Sequence, residues 1–180
     1  WWKYAVGKGK AIDTNKYFVI CANVLGGCMG SFGPSSINPK TGKSFGNDFP
    51  VITINDMVNA QYFLLKHFHI TKLFCVTGGS MGGMQVLQFV SNYPNAAQTA
   101  IPIACTSNHS AQNIGLNELG RQAIMADSNW QNGSYNEKNC TPNKGLSVAR
   151  MAAHITYLSK EALQEKFGRK LQERDDLKFS

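Results

Sequence analysis

The 180-residue sequence predicts an α/β fold built on a parallel sheet. Three short, nearly continuous apolar runs, at residues 17–21, 73–77 and 100–104, have the length of buried strands. Apolar residues at helical spacing separate these runs, first over residues 54–68 and again after Ser80. Strand, helix, strand, helix, strand is the order that produces a parallel sheet with helices on both faces.

The first helix has a start signal as well as an apolar face. Thr53 and Asp56 match the capping box, in which two side chains satisfy the free N–H groups of the first turn. The second helix is expected to end at Tyr93 and Pro94, because proline cannot continue a helix.

Composition divides the chain into two regions. Residues 23–50 are rich in Gly, Ser, Pro and Asn, so we predict a long irregular connection there. Residues 108–170 show helical spacing, with an irregular break over 129–145. We therefore predict a partial α/β core over residues 1–106 and a helical lid segment over 107–180. The first residue is Trp1 rather than Met, and we expect the chain to begin inside a longer parent sequence.

Charge and cysteine content restrict the partners. The net charge of +7 would suit an anionic partner, either nucleic acid or a phosphate-bearing substrate such as coenzyme A. No aromatic-and-basic stripe for stacking bases is present, so we predict no nucleic acid. No apolar run approaches the roughly 20 residues of a membrane helix, so we predict no membrane. The five cysteines form no CxxC pair, which favours a reducing, cytoplasmic setting and no metal site.

One motif carries chemistry, the G-x-S-x-G string at residues 78–82. It lies directly after a predicted strand and directly before a predicted helix, the context of a nucleophile elbow. Ser80 is the predicted nucleophile, and glycines at 78 and 82 would leave room for the sharp turn. The helix N-terminus adds positive potential, so the backbone N–H of Met81 is the predicted oxyanion donor.

A phosphate loop is the alternative interpretation of this glycine-rich turn. A Walker loop ends in Lys followed by Ser or Thr, which the turn lacks. Residues 42–44 supply that ending, but Ile37 stands where the first glycine belongs. Residues 26–30 lack the dinucleotide-binding spacing and are interpreted as loop.

A serine nucleophile needs a base and an orienting acid, in the chain order Ser, Asp or Glu, then His for this kind of elbow. Ser80, Asp127 and His154 satisfy that order. The predicted strands end near residue 104, however, and the acid and base normally follow later strands. We therefore expect both to lie beyond Ser180.

Beyond the elbow, several strings of the sequence resemble homoserine O-acetyltransferases, which are α/β-hydrolase-fold acyltransferases. The resemblance runs over nearly the whole chain. The strings are Asp13-Thr14, residues 17–21, 23–28, 33–36, 48–50, 78–84 and 121–124, Asp127 with Trp130, and residues 149–157.

This resemblance implies acyl transfer in methionine biosynthesis. Ser80 would attack the thioester of acetyl-CoA, a substrate and not a bound cofactor, and the homoserine hydroxyl would then remove the acyl group. It also implies that Arg150 holds the carboxylate of homoserine, that Tyr157 lines the same pocket, and that the protein is a homodimer.

Two family features are missing from the sequence, a second oxyanion donor upstream and the catalytic Asp and His downstream. We therefore expect a chain truncated at both ends and inactive alone. The alternatives are a serine or homoserine O-succinyltransferase, an esterase-type serine hydrolase, and a non-catalytic gene remnant. Partition of the acyl-serine between water and homoserine would separate the hydrolase from the transferases, and the flanking DNA would identify a remnant.

Overall fold

The structure, a computed structural model, describes residues 2–135 and 138–168. The chain forms two compact units. The first unit comprises residues 1–36 and 50–105, and the second comprises residues 37–49 and 106–180. That these units act as a catalytic core and a lid, divided at residue 106, stays a prediction.

The first unit is built on strands, with helices between them. Short strands β1 (Val6–Gly7) and β2 (Ile12–Asp13) pair in parallel. Helix α1 (Ile54–His67), strand β3 (Leu73–Gly79), helix α2 (Met81–Asn92) and strand β4 (Ala97–Ile103) follow in order. Strands β3 and β4 pair in parallel, from Leu73 opposite Ala97 to Gly79 opposite Ile103. The predicted strand–helix–strand unit around Ser80 is therefore confirmed.

Helix α1 begins at the predicted capping box. The Thr53 hydroxyl accepts a hydrogen bond from the Asp56 N–H at 3.2 Å, and the Asp56 carboxylate accepts one from the Thr53 N–H at 2.8 Å. These bonds satisfy two backbone donors that a helix start leaves without intrahelical partners.

The core of the first unit lies between α1 and α2. Val58 and Leu65 from α1 pack with Phe89 from α2, and all three are buried. Leu73 and Val76 of β3 pack against this cluster. Helix α2 also contacts both β3 and β4. The apolar stripes of the two helices therefore hold α2, and with it the end of β3, in a defined position.

Three large apolar side chains of the sheet are open to solvent within the described residues. Phe74 of β3 is 55% exposed, and Ile101 and Ile103 of β4 are 53% and 44% exposed. Part of the apolar side-chain surface of β3 and β4 therefore remains exposed rather than packed.

The prediction of a strand at residues 17–21 is wrong, because the structure has no strand there. The segment still packs by its side chains: Ile20 contacts the core cluster, and the Tyr17 ring stacks on Phe74 at 5.1 Å between centroids. A strand needs a backbone ladder to a neighbour, which apolar composition alone does not supply, and four of these five residues are exposed.

The second unit is helical. It contains α3 (Ala111–Met125), a short 3₁₀ segment (Ser128–Gly133), α4 (Asn143–Tyr157) and α5 (Lys160–Phe167). Helices α3 and α4 approach closely at Gly145, where an added Cβ would lie 2.7 Å from the Cα of Ile124. The predicted helical character over 108–170 is confirmed through α5, and residues 169–170 lie outside the described residues.

The loop predicted over residues 23–50 is irregular, as expected. It contains a 3₁₀ turn (Gly46–Asp48) and an isolated bridge between Ile37 and Ser44. Within the described ranges, no helix has both the length and the apolar character needed to cross a membrane.

Candidate active site

Ser80 occupies the junction between strand β3 and helix α2. Its backbone has φ 56° and ψ −120°. A positive φ is uncommon for any residue except glycine, because the Cβ atom crowds the neighbouring carbonyl. Strained backbone of this kind costs of order 1–3 kcal/mol and is concentrated at functional sites. The structure thus bears out the sharp turn expected from the motif.

Two backbone hydrogen bonds hold the strained residue. The N–H of Ser80 donates to the carbonyl of Ile103, the last residue of β4, at 2.9 Å. The carbonyl of Ser80 accepts from the N–H of Met84 at 3.1 Å, in the first turn of α2. The serine side chain is exposed, and no described side chain of the first unit forms a hydrogen bond with its hydroxyl. The hydroxyl is therefore presented to solvent.

The glycines around Ser80 differ in what surrounds them. A Cβ at Gly78 would lie 2.5 Å from the backbone carbon and oxygen of Gly82, which is closer than real Cβ atoms come. A Cβ at Gly83 would lie 2.7 Å from the Cβ and Sγ of Cys105. At Gly82 itself, an added Cβ would meet open space. Gly78 and Gly83 are thus the sterically required pair, whereas the motif predicted Gly78 and Gly82.

Met81 is the first residue of α2, so its N–H has no carbonyl partner inside the helix. The first N–H groups of a helix also carry the positive end of its dipole. An anionic oxygen formed beside Ser80 would therefore meet a favourable potential at this turn.

Asp127 and His154, the acid and base suggested by chain order, have other polar partners within the second unit. The Asp127 carboxylate accepts hydrogen bonds from the N–H of Asn129 and the N–H of Gly145, both at 2.9 Å. These two bonds, that of Asn129 first, lower the pKa of Asp127 below its ordinary value of 3.8. Nδ1 of His154 lies 2.8 Å from the carbonyl oxygen of Arg150 on its own helix. Asp127 thus ties the start of the 3₁₀ segment to α4 and forms no bond with His154.

Arg150 and Tyr157 both lie on helix α4, seven positions apart, which is close to two full turns. Both side chains are exposed, Tyr157 to 83%. Among the described residues, the guanidinium of Arg150 forms no ion pair. Both residues belong to the second unit, whereas Ser80 belongs to the first.

Two contributors to the site were not predicted from the sequence. The Ile103 carbonyl supports Ser80 through the pairing of β3 with β4, and that pairing could have been expected from two parallel strands flanking one helix. The contact between Gly83 and Cys105 had a weaker signal, the second glycine of the Gly82-Gly83 doublet.

The whole chain, residues 1–180, matches the family described as having the alpha/beta hydrolase fold. It is 76% identical to a homoserine O-acetyltransferase of Pelagibacter ubique over 179 residues, which cover 99% of this chain and 48% of that protein. It is 64% identical to a homoserine O-acetyltransferase of Rhodopseudomonas palustris over 179 residues, covering 99% of this chain and 45% of the relative.

Solved structures give the same fold. A homoserine O-acetyltransferase from Bacillus anthracis superposes with a TM-score of 0.88 at 33% identity, over 94% of this chain and 47% of that one. Esterase E22 superposes with a TM-score of 0.84 at 34% identity, over 99% of this chain and 52% of that one. The chain spans about half the length of the curated relatives it matches. With the β3–Ser80–α2 turn in place and the match extending over all 180 residues, the chain belongs to the α/β-hydrolase fold family.

Proposed function

We propose that this chain is part of a homoserine O-acetyltransferase of methionine biosynthesis, with Ser80 as its nucleophile. The observation that carries the proposal is the backbone of Ser80, held at φ 56° between β3 and α2 with its hydroxyl exposed. The 76% identity to the Pelagibacter ubique relative supports homoserine as the acceptor and acetyl-CoA as the donor.

The proposed reaction has two halves. Ser80 Oγ attacks the carbonyl carbon of the acetyl-CoA thioester, a C–O bond forms, and the C–S bond then breaks to release coenzyme A as its thiol. The hydroxyl of homoserine next attacks the acetyl-serine carbonyl, and Ser80 leaves with its proton restored. In both halves, the negative charge on the carbonyl oxygen would be stabilised by the N–H of Met81. Acetyl-CoA enters as a substrate, and the proposal requires no bound cofactor or metal.

The base that accepts the Ser80 proton, and the acid that orients this base, are proposed to come from outside these 180 residues. Asp127 supports this view, because both of its carboxylate oxygens already accept backbone N–H groups. A serine hydroxyl without a base is a weak nucleophile near neutral pH. The 180-residue chain alone is therefore expected to release coenzyme A no faster than its Ser80→Ala variant does.

Arg150 and Tyr157 are proposed to form the acceptor site. A guanidinium offers a carboxylate two parallel hydrogen bonds, and the exposed side chain of Arg150 has no competing acid among the described residues.

The proposed assembly is a homodimer. Its proposed location is the cytoplasm, which the five free thiols of the structure support.

The test uses a full-length chimaera in which residues 1–180 are joined to the remaining length of the Pelagibacter ubique relative. After brief exposure to acetyl-CoA without homoserine, mass spectrometry should place one acetyl group on the peptide that contains Ser80. The Ser80→Ala chimaera is the control. An acetyl group found only on Cys75 or Cys105 would overturn the assignment of the nucleophile.

A hydrolase is the second candidate function, favoured by the similarity to esterase E22 at 34% identity. The two functions differ in the second half-reaction. If the acetyl-enzyme is a transferase intermediate, homoserine should accelerate its breakdown and appear as O-acetylhomoserine. Breakdown to acetate at a rate that homoserine does not change would identify an esterase. Succinyl-CoA in place of acetyl-CoA tests the donor in the same assay.

A further inference from the structure

Two side-chain amides connect helix α1 to the first turn of helix α2. Gln85 of α2 is only 6% exposed, and a polar side chain this deeply buried needs hydrogen-bond partners. Its Oε1 accepts from Nε2 of Gln61, a half-buried residue of α1, at 2.5 Å. Its Nε2 donates to the carbonyl oxygen of Met81 at 3.4 Å. A continuous chain of polar contacts therefore runs from α1 to the residue that follows Ser80.

Packing alone does not call for this arrangement. The next residue of α2, Val86, and Phe89 one turn further on are each 2% exposed, so an apolar side chain could fill the position of Gln85. Burying an amide costs desolvation energy that an apolar side chain would not, and hydrogen bonds only offset that cost. The Gln85 amide instead fixes the orientation of its own side chain, because the amide must face one donor and one acceptor at fixed positions.

We propose that Gln61 and Gln85 are positioning residues that hold the Met81 backbone in the orientation its N–H needs as oxyanion donor. This inference rests on the proposed function. Met81 is the first residue of α2 and follows the strained Ser80, so its N–H lies in the peptide plane that joins the strained residue to the helix. The Met81 carbonyl that accepts from Gln85 belongs to the Met81–Gly82 peptide, which adjoins the plane that carries the Met81 N–H. Restraining this second plane limits rotation of the backbone at Met81. Donors aligned in advance stabilise developing charge without reorganisation during the reaction.

The matched control is a second amide bridge between the same two helices. Nδ2 of Asn92, in the last turn of α2, donates to Oδ1 of Asn55 in the first turn of α1 at 2.7 Å. This bridge joins α1 to the end of α2 remote from Ser80. It should therefore contribute to helix packing without influencing Met81.

The experiment measures single-turnover release of coenzyme A by the full-length chimaera without homoserine, together with the KM for acetyl-CoA and the melting temperature. The variants are Gln85→Met, Gln61→Met, the double variant of both, and Asn55→Leu with Asn92→Leu. Gln85→Met should slow acylation about five- to tenfold with an unchanged KM, since one net hydrogen bond corresponds to about that factor in rate. Gln61→Met, which keeps the contact between Gln85 and Met81, is the milder change and should slow acylation about two- to threefold.

The double variant separates positioning from stability. It leaves no buried amide without a partner, so its melting temperature should recover while its acylation stays slow. The asparagine control should lose melting temperature and keep its acylation rate. Full recovery of the rate in the double variant, or equal slowing in the asparagine control, would overturn the inference. Continued acetylation of a Ser80→Ala chimaera would instead overturn the proposed function.

Discussion

The four glycines that flank Ser80 should respond to alanine in two opposite ways. Alanine at Gly78 or Gly83 places a methyl group 2.5 Å or 2.7 Å from existing atoms, whereas alanine at Gly79 or Gly82 places it in open space. All four substitutions add the same methyl group within a few residues of each other. Gly78 and Gly79 lie together in β3, and Gly82 and Gly83 lie together in α2, so comparison within each pair separates crowding from secondary-structure preference.

The magnitudes follow from those distances. Carbon atoms prefer to lie about 3.5–4.0 Å apart, so Gly78→Ala must displace the Gly82 backbone by about 1 Å. Overpacking typically costs about 1–3 kcal/mol, and we expect Gly78→Ala at the upper end because backbone atoms cannot rotate away. Gly83→Ala meets the Cys105 side chain and should cost about 1–2 kcal/mol. Gly82→Ala should stabilise α2 by up to about 1 kcal/mol, the helix preference of alanine over glycine.

The assay is urea unfolding of the full-length chimaera, followed by tryptophan fluorescence, with acylation measured on the folded variants. Gly78→Ala should also slow acylation by at least about tenfold, because it displaces the turn that bears the N–H of Met81. A double-mutant cycle of Gly83→Ala with Cys105→Gly should show coupling, since the second change removes the group the new methyl meets. Equal destabilisation by Gly78→Ala and Gly82→Ala would refute the crowding argument.

Three further outcomes follow from the site. Ser80→Gly and Ser80→Ala should both be inactive, but the glycine variant should be more stable by about 1–2 kcal/mol in urea unfolding, because glycine adopts φ 56° without strain. The pKa of Asp127 is lowered by the N–H groups of Asn129 and Gly145, so its stabilising effect is present above about pH 4 and is lost as the pH falls through the folded-state pKa. Asp127→Asn should therefore lower the urea midpoint more at pH 7 than at pH 3; an equal loss at both values would exclude the charge as the cause. Arg150→Ala should leave acetylation of Ser80 intact and weaken homoserine use by about tenfold or more, and a loss of acetylation in a folded variant would contradict its assignment to the acceptor site.

Short-range patterns account for the parts of the fold that the sequence predicted. The capping box at Thr53 and Asp56 uses atoms three residues apart, and it starts α1 where expected. The elbow around Ser80 likewise depends on a strand, a turn and a helix that are contiguous in the chain. Such features need no knowledge of distant contacts.

The features that were missed depend on distant parts of the chain. Residues 17–21 have the composition of a strand, yet composition cannot show whether a neighbouring strand is available to pair with them. Gly83 is required because Cys105, which follows β4, lies against it. Asp127 had the right chain position for a triad acid, and only its hydrogen bonds to Asn129 and Gly145 reveal a capping role.

The strain at Ser80 is supported by the sheet, and this links the fold to the chemistry. The N–H of Ser80 bonds to Ile103, so the turn depends on the register of β4 against β3. Two side chains reinforce that register, because the Thr77 hydroxyl donates to the Ile101 carbonyl at 3.0 Å and the Thr99 hydroxyl donates to the Phe74 carbonyl at 2.7 Å. A shift of β4 by one residue would turn the carbonyl that holds Ser80 away from it. The Ser80 backbone would then relax toward ordinary φ and ψ angles, and the turn would no longer hold the hydroxyl in its exposed position.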